Sequence, residues 1–560
     1  MRKIGIIYCI ISMILTVTLV FSEPGPVNAD TQVMPSEEWV ARHNGHDNGY
    51  DFAHAIATDT QGNVFVTGVS PGNGTNRDYL TIAYDPSGNE LWKARYDGPR
   101  NGNDQASAIA VDDIGNIYVT GWSAFNAQWP WNHDYATVKY DPSGNELWVA
   151  RYSGPGIDED MALDIAVDSS YNVYVTGHSW GSIIGSKTKY DYATVAYDPS
   201  GNELWVARYN GPVNGYDWGR AVTVDDNGRV YVTGYSSTIE EQAYKYMDYA
   251  TVAYDSSGNE LWTARYNAPG NLNDQAYDIA LDPSGNVYVT GTTNTVAYNS
   301  SGHEIWAGEY GGGEIAYDPL SGNVFVAGTR TGTGTPGTVK YHTVAYDTNG
   351  TWLWVRSFQG AGFKDAGALD IDSLGNVYVT GHKWNYKAEH DIVTIKYDPS
   401  GNPLWMAVYN SPTNNDEHSE DIAVDSQGNV YVTGGGWGNG TNWDYITIKY
   451  SEKVIVEATL DIDPDTLNLK SKGKWISAYI TLPSDFDIYD INISTIMLND
   501  VIPAEWGDIQ GTTLMVKFDR SEVEDLIGLP DDNVVLTVTG ELMDGTHLKG
   551  SDTIRVIEPP

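Results

Sequence analysis

One stretch of the chain matches a catalytic motif by its letters. Gly177-His-Ser-Trp-Gly181 has the Gly-x-Ser-x-Gly spacing of a nucleophile elbow, in which a strained strand-to-helix turn exposes a serine. The same position reads Gly121-Trp-Ser123 and Gly234-Tyr-Ser236 elsewhere, and no helical pattern follows any of the three. This repetition predicts that Ser179 is not a nucleophile and that Ser179→Ala changes neither stability nor activity.

Aspartates recur at two positions, and carboxylate oxygens are ligands that calcium prefers. The first set ends the long connections and consists of Asp78, Asp134, Asp191, Asp248, Asp391 and Asp444. The second set precedes a strand and consists of Asp51, Asp104, Asp160, Asp217 and Asp274. Such rings could gather cations, or each carboxylate could cap its own loop by accepting backbone N–H groups. Repetition favours capping, so calcium stays an open alternative. The 11 histidines show no spacing typical of a zinc site.

Tryptophan supplies the asymmetry that the repeated carboxylates lack. Six tryptophans stand in long connections and follow no fixed spacing: Trp129, Trp131, Trp180, Trp384, Trp437 and Trp443. Exposed tryptophan beside Asp, Asn and Gly can stack on sugar rings or hold a protein partner. Alternatively, these rings pack neighbouring loops together. The six residues are the predicted ligand-binding residues, and an extracellular glycan or protein is the predicted ligand.

A repeat defines the elements that must position these residues. A tryptophan opens each of eight copies of one four-strand pattern, at intervals of 44 to 57 residues. A period of about 50 residues with four short strands is typical of β-propeller blades. The eight tryptophans are predicted to pack between blades: Trp39, Trp92, Trp148, Trp205, Trp262, Trp306, Trp354 and Trp405.

The turns and the two ends of the repeat predict its faces and its closure. Short glycine turns such as Asp141-Pro-Ser-Gly-Asn145 and Asp425-Ser-Gln-Gly-Asn429 join strands three to four and one to two on one face. The long connections then share the opposite face, here called the long-loop face. Trp39–Arg42 reads as a fourth strand without a blade, and the last copy ends at Tyr445–Tyr450 without one. Pairing of these segments is predicted to close an eight-bladed ring and to remove its free edges.

This pattern resembles the bacterial and archaeal β-propeller repeat family known as SBBP over Glu37–Ser451, and Ile422–Tyr431 is similar to NHL-type propellers. The family name implies seven blades, which is the alternative to eight. Tyr140–Trp148 also resembles the docking phrase of eight-bladed quinoprotein dehydrogenases, which implies a pyrroloquinoline quinone (PQQ) cofactor. Here the aspartate is shifted by one residue, and Cys9 is the only cysteine, so the disulfide of many such enzymes cannot form.

The two ends of the chain and its net charge predict the cellular compartment and a second domain. Arg2 and Lys3, an apolar run over Ile4–Phe21 and Val27-Asn-Ala29 predict a secretory signal peptide, with an uncleaved membrane anchor as the alternative. The net charge of −42 opposes binding to nucleic acid. Strand patterns after Ser451, with one short helix over Arg520–Ile527, predict a small immunoglobulin-like β-sandwich.

The sequence therefore predicts an all-β protein of four parts: signal peptide 1–29, linker 30–36, β-propeller 37–451 and C-terminal β-sandwich 452–560. The predicted function is that of an exported, non-catalytic binding or scaffold protein, secreted or at the cell surface, with no membrane span in the mature chain. The alternatives are a quinoprotein-like enzyme and a purely structural surface component. No catalytic residue and no cofactor other than calcium is predicted.

Overall fold

The computed structural model describes residues 31–72, 76–99, 101–124, 132–156, 159–181, 189–239, 246–270, 273–331, 339–358, 366–384, 389–411, 415–438, 440–527 and 533–557. The predicted signal peptide lies outside these ranges, so its role stays a prediction. Within them, no helix is both long and apolar enough to span a bilayer.

The strands of the repeat region are short and regular in length. They are β1 (Thr31–His43), β2 (Phe52–Thr58), β3 (Val64–Pro71), β4 (Arg77–Tyr84), β5 (Glu90–Tyr96), β6 (Asp104–Val111), β7 (Ile117–Ala124), β8 (His133–Tyr140), β9 (Glu146–Tyr152), β10 (Asp160–Val167), β11 (Val173–Trp180), β12 (Tyr190–Tyr197), β13 (Glu203–Tyr209), β14 (Asp217–Val224), β15 (Val230–Ser237), β16 (Met247–Tyr254), β17 (Glu260–Tyr266), β18 (Ala276–Leu281), β19 (Val287–Gly291), β20 (Thr295–Tyr298), β21 (Glu304–Gly308), β22 (Glu314–Tyr317), β23 (Val324–Thr331), β24 (Val339–Tyr346), β25 (Trp352–Phe358), β26 (Ala366–Ile371), β27 (Val377–Trp384), β28 (His390–Tyr397), β29 (Pro403–Tyr409), β30 (Glu417–Val424), β31 (Val430–Trp437) and β32 (Trp443–Glu457).

The strands of the C-terminal region are more varied in length. They are β33 (Thr459–Asp463), β34 (Thr466–Asn468), β35 (Trp475–Thr481), β36 (Ile491–Leu498), β37 (Ile502–Pro503), β38 (Trp506–Gln510), β39 (Thr513–Asp519), β40 (Val534–Leu542) and β41 (His547–Ile557). The helix α1 spans Arg520–Ile527, as predicted, and 3-10 turns span His46–Asn48 and Ile488–Asp490.

The repeat strands assemble into antiparallel sheets of four consecutive strands. Seven such sheets run in simple order from β2–β5 to β26–β29. An eighth set of four is formed by β30, β31, β32 and β1, so the orphan strand at the start of the chain pairs with the last repeat. The predicted contact is present, since Trp39 pairs with Lys449 and His43 pairs with Tyr445.

The hairpin turns have the chemistry that the sequence predicted. Asp141 accepts hydrogen bonds from the backbone N–H groups of Ser143 and Asn145, both at 2.9 Å, and Gly144 has a φ of 82°. This left-handed conformation favours glycine because other residues are strained there. The short turns therefore fix the register of strands three and four.

Neighbouring sheets are joined by the eight repeat tryptophans, as predicted. Seven of them donate the indole N–H to a carbonyl in the next sheet's turn at 3.0–3.2 Å, for example Trp148 to Pro199. The indole also lies on the turn glycine, and a methyl group added at Gly201 would lie 2.6 Å from the Trp148 ring. Trp405 instead donates to Oε1 of Glu452, because β32 continues where the other sheets turn.

The first sheet is also a neighbour of the last. Trp39 of β1 donates to the Pro86 carbonyl in the turn between β4 and β5, as six other repeat tryptophans do to the sheet after them. Asp421 of β30 accepts the backbone N–H of Ile56 in β2 at 2.8 Å, and the Tyr445 hydroxyl donates to the Leu80 carbonyl. The first and last repeats thus meet through both strand pairing and side-chain packing.

The structure changes the interpretation of residues 30–36 and of the boundary at 451/452. Residues 31–36 are not a linker, because they extend β1 and pair with residues 451–456 of β32. The strand β32 crosses the predicted boundary and pairs with β41 through Ile455 and His547. A continuous strand therefore connects the repeat region to the C-terminal region.

The C-terminal residues form two groups of strands around one apolar core. One sheet has the order β33-β35-β39-β38, and β41, β40, β36 and β37 continue from β32. Their inward side chains, including Ile476 and Phe518 of the first group and Leu536 and Val538 of the second, are fully buried in a shared cluster.

Candidate functional site

Ser179 lies in a buried hydrogen-bond network that repeats along the chain. Arg208 donates to the Ser179 hydroxyl at 2.6 Å and to the Asp191 carboxylate at 2.9 Å. In the next sheet Arg265 makes the same two contacts, donating to the Ser236 hydroxyl and to the Asp248 carboxylate. The serine hydroxyl is therefore a structural hydrogen-bond acceptor, and the absence of a nucleophilic role stays a prediction. Its burial and its bond to Arg208 revise the expectation that its removal leaves stability unchanged.

Ser179→Ala is expected to destabilise the chain by about 1–3 kcal/mol, since Arg208 loses a buried partner. Ser236→Ala should cost a similar amount, whereas Ser143→Ala, in an exposed turn, should be neutral. Urea unfolding of the three variants measures the differences. Labelling of Ser179 by a fluorophosphonate, or a neutral Ser179→Ala, would contradict this structural role.

The first set of aspartates is held mainly by arginine. Asp78, Asp134, Asp191 and Asp248 each contact an arginine of the fourth strand in their own sheet at 2.9–3.2 Å, and Asp444 lies 3.8 Å from Arg42. Asp391 belongs to a sheet whose fourth strand has Val408 at that position. Five of the six candidate calcium ligands therefore already have a cationic neighbour.

The second set of aspartates caps loops, as the capping interpretation held. Asp51, Asp104, Asp160, Asp217 and Asp274 each accept the backbone N–H of the residue six positions earlier at 2.6–3.0 Å. Oxygen atoms of Asp78, Asp97 and Asp104 lie within 4.8 Å of one another, although Arg95 already contacts Asp78. Burial and nearby Asp97 raise the pKa of Asp78 to about 6.

A third group of carboxyl groups was not singled out from the sequence and lies on the first strands of the sheets. Asp164, Asp278 and Asp421 each accept two backbone N–H groups, one from the following residue and one from the first strand of the next sheet. Glu314 occupies the equivalent position in β22. Among the described contacts it accepts no such pair of backbone N–H groups, but it forms a hydrogen bond with Asp278. These four residues come from four sheets and interact electrostatically, so the first strands converge on a common centre.

Burial raises the pKa of these carboxyl groups. The pKa of Asp164 and of Asp421 rises to about 7, and that of Asp278 rises to about 6. Neighbouring acids raise the pKa of Asp164 and Asp421 further, whereas the hydrogen bond with Glu314 lowers that of Asp278. Burial together with Asp278 raises the pKa of Glu314 well above its ordinary range. The centre of the sheet assembly therefore holds protons near neutral pH.

A pH-dependent stability follows from Asp421. Its folded-state pKa lies above the ordinary value of 3.8, so the folded chain binds a proton that the unfolded chain has released. This contribution to stability is present below about pH 4 and is lost as the pH rises to about 7. Four sheets have alanine at the equivalent position, namely Ala55, Ala108, Ala221 and Ala368, which makes Asp421→Ala a matched substitution.

The stability of the wild-type chain relative to Asp421→Ala is expected to be greater at pH 5 than at pH 8. Thermal unfolding of both proteins across this range measures the difference. Asp85→Ala is the control, because hydrogen bonds lower the pKa of exposed Asp85 and its effect should not change above pH 5. A pH-independent difference between wild type and Asp421→Ala would overturn the assignment.

Of the three candidate tryptophans whose side chains the structure describes, it brings two together. Trp437 and Trp443 are paired across β31 and β32, with ring centroids 6.1 Å apart. Trp180 lies at the end of β11 and packs against Tyr190 with centroids at 4.7 Å, in a different sheet. Trp129 and Trp131 lie outside the described residues, as does the side chain of Trp384.

Trp437 and Trp443 belong to a longer run of aromatic rings, here called the aromatic edge and defined by Trp437, Trp443, Phe52 and Tyr50. Trp443 contacts Phe52 at 5.4 Å, and Phe52 stacks on Tyr50 at 5.6 Å. The Arg77 guanidinium lies over Tyr50 at 4.6 Å. Trp437 is 39% exposed, whereas Phe52 is buried. The edge therefore presents one open indole beside the partly buried rings of Trp443 and Tyr50 and the buried ring of Phe52.

Sequence reasoning missed Phe52, Tyr50 and Arg77 because they belong to the first repeat, 366 to 393 residues before Trp443. Closure by β1 and β32 places the first and last repeats side by side. The predicted pairing of the first and last repeats could have identified them, if the long connections of these two repeats had been compared. Within the described residues of the long-loop face, the aromatic edge carries an exposed, repeat-breaking ring, that of Trp437.

Comparison with known proteins identifies the repeat. A family model described as "Beta-propeller repeat", SBBP, matches residues 38–74, 94–126, 204–238 and 261–295. A WD repeat-containing protein of Acanthamoeba polyphaga mimivirus, described as uncharacterized, is 24% identical over 453 residues. That match covers 64% of this chain, and the chain spans 31% of the mimivirus protein.

Several solved structures resemble the chain at low identity. A protein of unknown function from Dyadobacter fermentans is 10% identical with a TM-score of 0.37, over 74% of this chain and 99% of that one. A polysaccharide lyase is 10% identical with a TM-score of 0.39, over 74% and 98%. A gluconolactonase from Xanthomonas campestris is 13% identical with a TM-score of 0.28, over 64% and 99%.

Proposed function

Four segments of this chain are β-propeller repeats of the SBBP type, and from them we propose that the eight four-stranded sheets are the blades of one closed propeller. The contacts between the last and first sheets support this, because they are the contacts that join other neighbours. Asp421 bonds Ile56 as Asp164 bonds Val222, and Trp39 bonds Pro86 as Trp148 bonds Pro199. The two C-terminal groups of strands would form the β-sandwich.

We propose that the protein is an exported, non-catalytic binding protein whose ligand docks on the aromatic edge. The observation that carries this proposal is the 39% exposure of Trp437 on a base of Trp443 and Phe52. An exposed indole held by other rings presents a flat apolar surface without a large loss of side-chain entropy on binding. Thr441 and Asn442 precede Trp443, are partly exposed and offer hydrogen-bonding groups. A glycan fits this combination of a flat ring and polar neighbours, and a protein partner is the alternative ligand.

The quinoprotein-like alternative shares the way in which a repeat tryptophan packs on the next sheet's turn glycine. Its cofactor is a polycarboxylate. At the centre of this assembly, four of the eight equivalent first-strand positions carry Asp164, Asp278, Glu314 and Asp421. The other four positions carry alanine, so this level offers no cationic side chain to an anionic cofactor, which favours the binding function over this enzyme class.

A glycan array probed with the purified chain tests the binding proposal, and an absorbance spectrum of the same sample tests the quinone alternative. The affinity of any glycan that binds is then measured for the wild-type chain and for Trp437→Ala. Trp352→Ala is the control, because Trp352 is 55% exposed but opens β25 after a short turn, on the opposite face. Equal loss of affinity in both variants, or no loss in Trp437→Ala, would reject the aromatic edge as the site. An array without hits, together with no quinone absorbance, would favour a structural role.

A further inference from the structure

Three histidines from two neighbouring sheets meet beside the aromatic edge. His382 lies two residues before the end of the second strand and His390 begins the third strand of one sheet, and His418 is the second residue of β30 in the next. Their ligand-capable nitrogens lie within 4.8 Å of one another. The His382 and His390 rings are buried, and His418 is partly exposed. Sequence spacing did not suggest a zinc site, because a long connection and a repeat boundary separate the three residues.

At other sheet junctions the equivalent positions carry different residues, such as Val69, Arg77 and Gln105 at the first junction. The closest counterpart is His178, Tyr190 and Trp218. There His178 stacks on Trp218 at 4.4 Å, and His382 stacks on His418 at the same distance. His178 meets Tyr190 edge-on at 4.9 Å, and His382 meets His390 edge-on at 5.0 Å. Ring packing therefore does not require histidine at the second and third positions.

Three imidazoles differ from that counterpart in what their nitrogens can do. His418 Nε2 lies 3.2 Å from His390 Nδ1. Two nitrogens bound to one tetrahedral zinc ion lie about 3.4 Å apart, given zinc–nitrogen bonds of about 2.1 Å. The first pair of nitrogens is thus already spaced as two ligands of one ion are, and a small rotation of His382 would bring the third nitrogen to them.

Asp416 completes the set from the connection that precedes β30. Its Oδ1 lies 3.0 Å from His390 Nδ1 and accepts the backbone N–H of His390 at 2.9 Å. The carboxylate is 35% exposed, so solvent and ions reach it. A carboxylate held beside an imidazole can serve as a further ligand or can orient the histidine towards an ion.

We propose that His382, His390, His418 and Asp416 form a binding site for one divalent transition-metal ion of the zinc class. Three imidazoles and one carboxylate are ligands of Zn²⁺, Co²⁺, Ni²⁺ and Cu²⁺, whereas Ca²⁺ and Mg²⁺ require oxygen ligands. The site joins two neighbouring sheets on the long-loop face. His418 contacts Trp443 at 4.9 Å, so a bound ion would also hold one ring of the aromatic edge in place. This inference does not depend on a glycan ligand.

The counterpart cluster supplies a matched variant. The double substitution His390→Tyr with His418→Trp reproduces the residues at 178, 190 and 218, which preserves ring packing while removing two ligands. The full chain is freed of metal with a chelator and titrated with Zn²⁺ in a calorimeter. Co²⁺ serves as a spectroscopic probe, since its visible absorption reports tetrahedral coordination by nitrogen. Asp416→Asn is measured in parallel.

Wild type is expected to bind one Zn²⁺ per chain, to melt at a higher temperature with Zn²⁺ and to give a tetrahedral Co²⁺ spectrum. The double variant should lose all three responses while it keeps a cooperative melt. Asp416→Asn should bind about 10- to 100-fold more weakly. No Zn²⁺ binding by wild type at micromolar concentration, or equal binding by the double variant, would overturn the proposal. If the double variant does not fold, an unchanged affinity of Asp416→Asn together with an octahedral Co²⁺ spectrum of wild type would overturn it as well.

Discussion

Deletion of residues 36–43 is expected to abolish the cooperative fold of the repeat region and to drive the chain into aggregates. These residues form the half of β1 that pairs with Tyr445–Tyr450 of β32. They also contribute Trp39, which bonds Pro86 of the first sheet, and Arg42, which bonds the Gly436 and Trp437 carbonyls of the last sheet. One deletion therefore removes a sheet pairing, a packed indole and the three hydrogen bonds that these two side chains donate.

The physical reason lies in the edge that the deletion exposes. The strand β32 would present a row of unpaired N–H and C=O groups next to the apolar side chains of Ile446 and Ile448, which are buried in the native chain. A long apolar edge of this kind templates pairing with other chains. The first and last sheets would also lose contacts made through Trp39 with Tyr84 and Tyr431.

Addition of a synthetic peptide of residues 31–43 to the deleted chain tests this account. An added strand can pair with the vacant edge through main-chain hydrogen bonds. The peptide should restore a monomeric species in size-exclusion chromatography and a cooperative melt. A peptide with Val40→Pro is the control, because proline removes an N–H from the ladder. A deleted chain that remains monomeric and cooperative without peptide would show that β1 is dispensable.

The repeat made most of the fold predictable, because its signals are local. Tryptophan spacing, glycine turns such as the one at Gly144 and the orphan strand at Trp39 each specify a contact within a few residues or at a fixed repeat position. Residues 31–36 were misjudged as a linker because their strand character depends on a partner, residues 451–456, at the other end of the repeat. The strands β36 and β41 of the C-terminal region were not predicted, because no repeated pattern marks them in the sequence.

The candidate site was only partly predictable, since side-chain environments depend on neighbours that the sequence does not place. Trp437 and Trp443 were identified as repeat-breaking rings, but Phe52 joins them only through closure. His382, His390 and His418 look unrelated in sequence and meet because adjacent sheets align equivalent positions. The aspartates of the first set were identified as a group, yet their arginine partners, 17 residues later in four cases, were not.

Trp354→Ala is expected to cost about 3–5 kcal/mol of stability, whereas Trp437→Ala should cost less than about 1 kcal/mol. The Trp354 ring is 6% exposed, donates to the Pro399 carbonyl at 3.0 Å and lies against Phe325 and Tyr397. Its removal leaves a cavity between two sheets and an unused carbonyl. The Trp437 ring is 39% exposed and rests mainly on Trp443, so water can fill the space it leaves.

The order of the two effects should reverse when ligand affinity is measured in place of stability. Trp437→Ala should weaken binding by about 1–3 kcal/mol if the indole is a main contact, which is roughly a 5- to 150-fold change in the dissociation constant. Trp354→Ala should leave affinity unchanged at temperatures where it remains folded, because its ring is enclosed between sheets. Urea unfolding and binding isotherms on the same protein samples provide both quantities. Comparable destabilisation by the two substitutions would mean that Trp437 packs the connections together, and the aromatic edge would then lose its claim to be a binding surface.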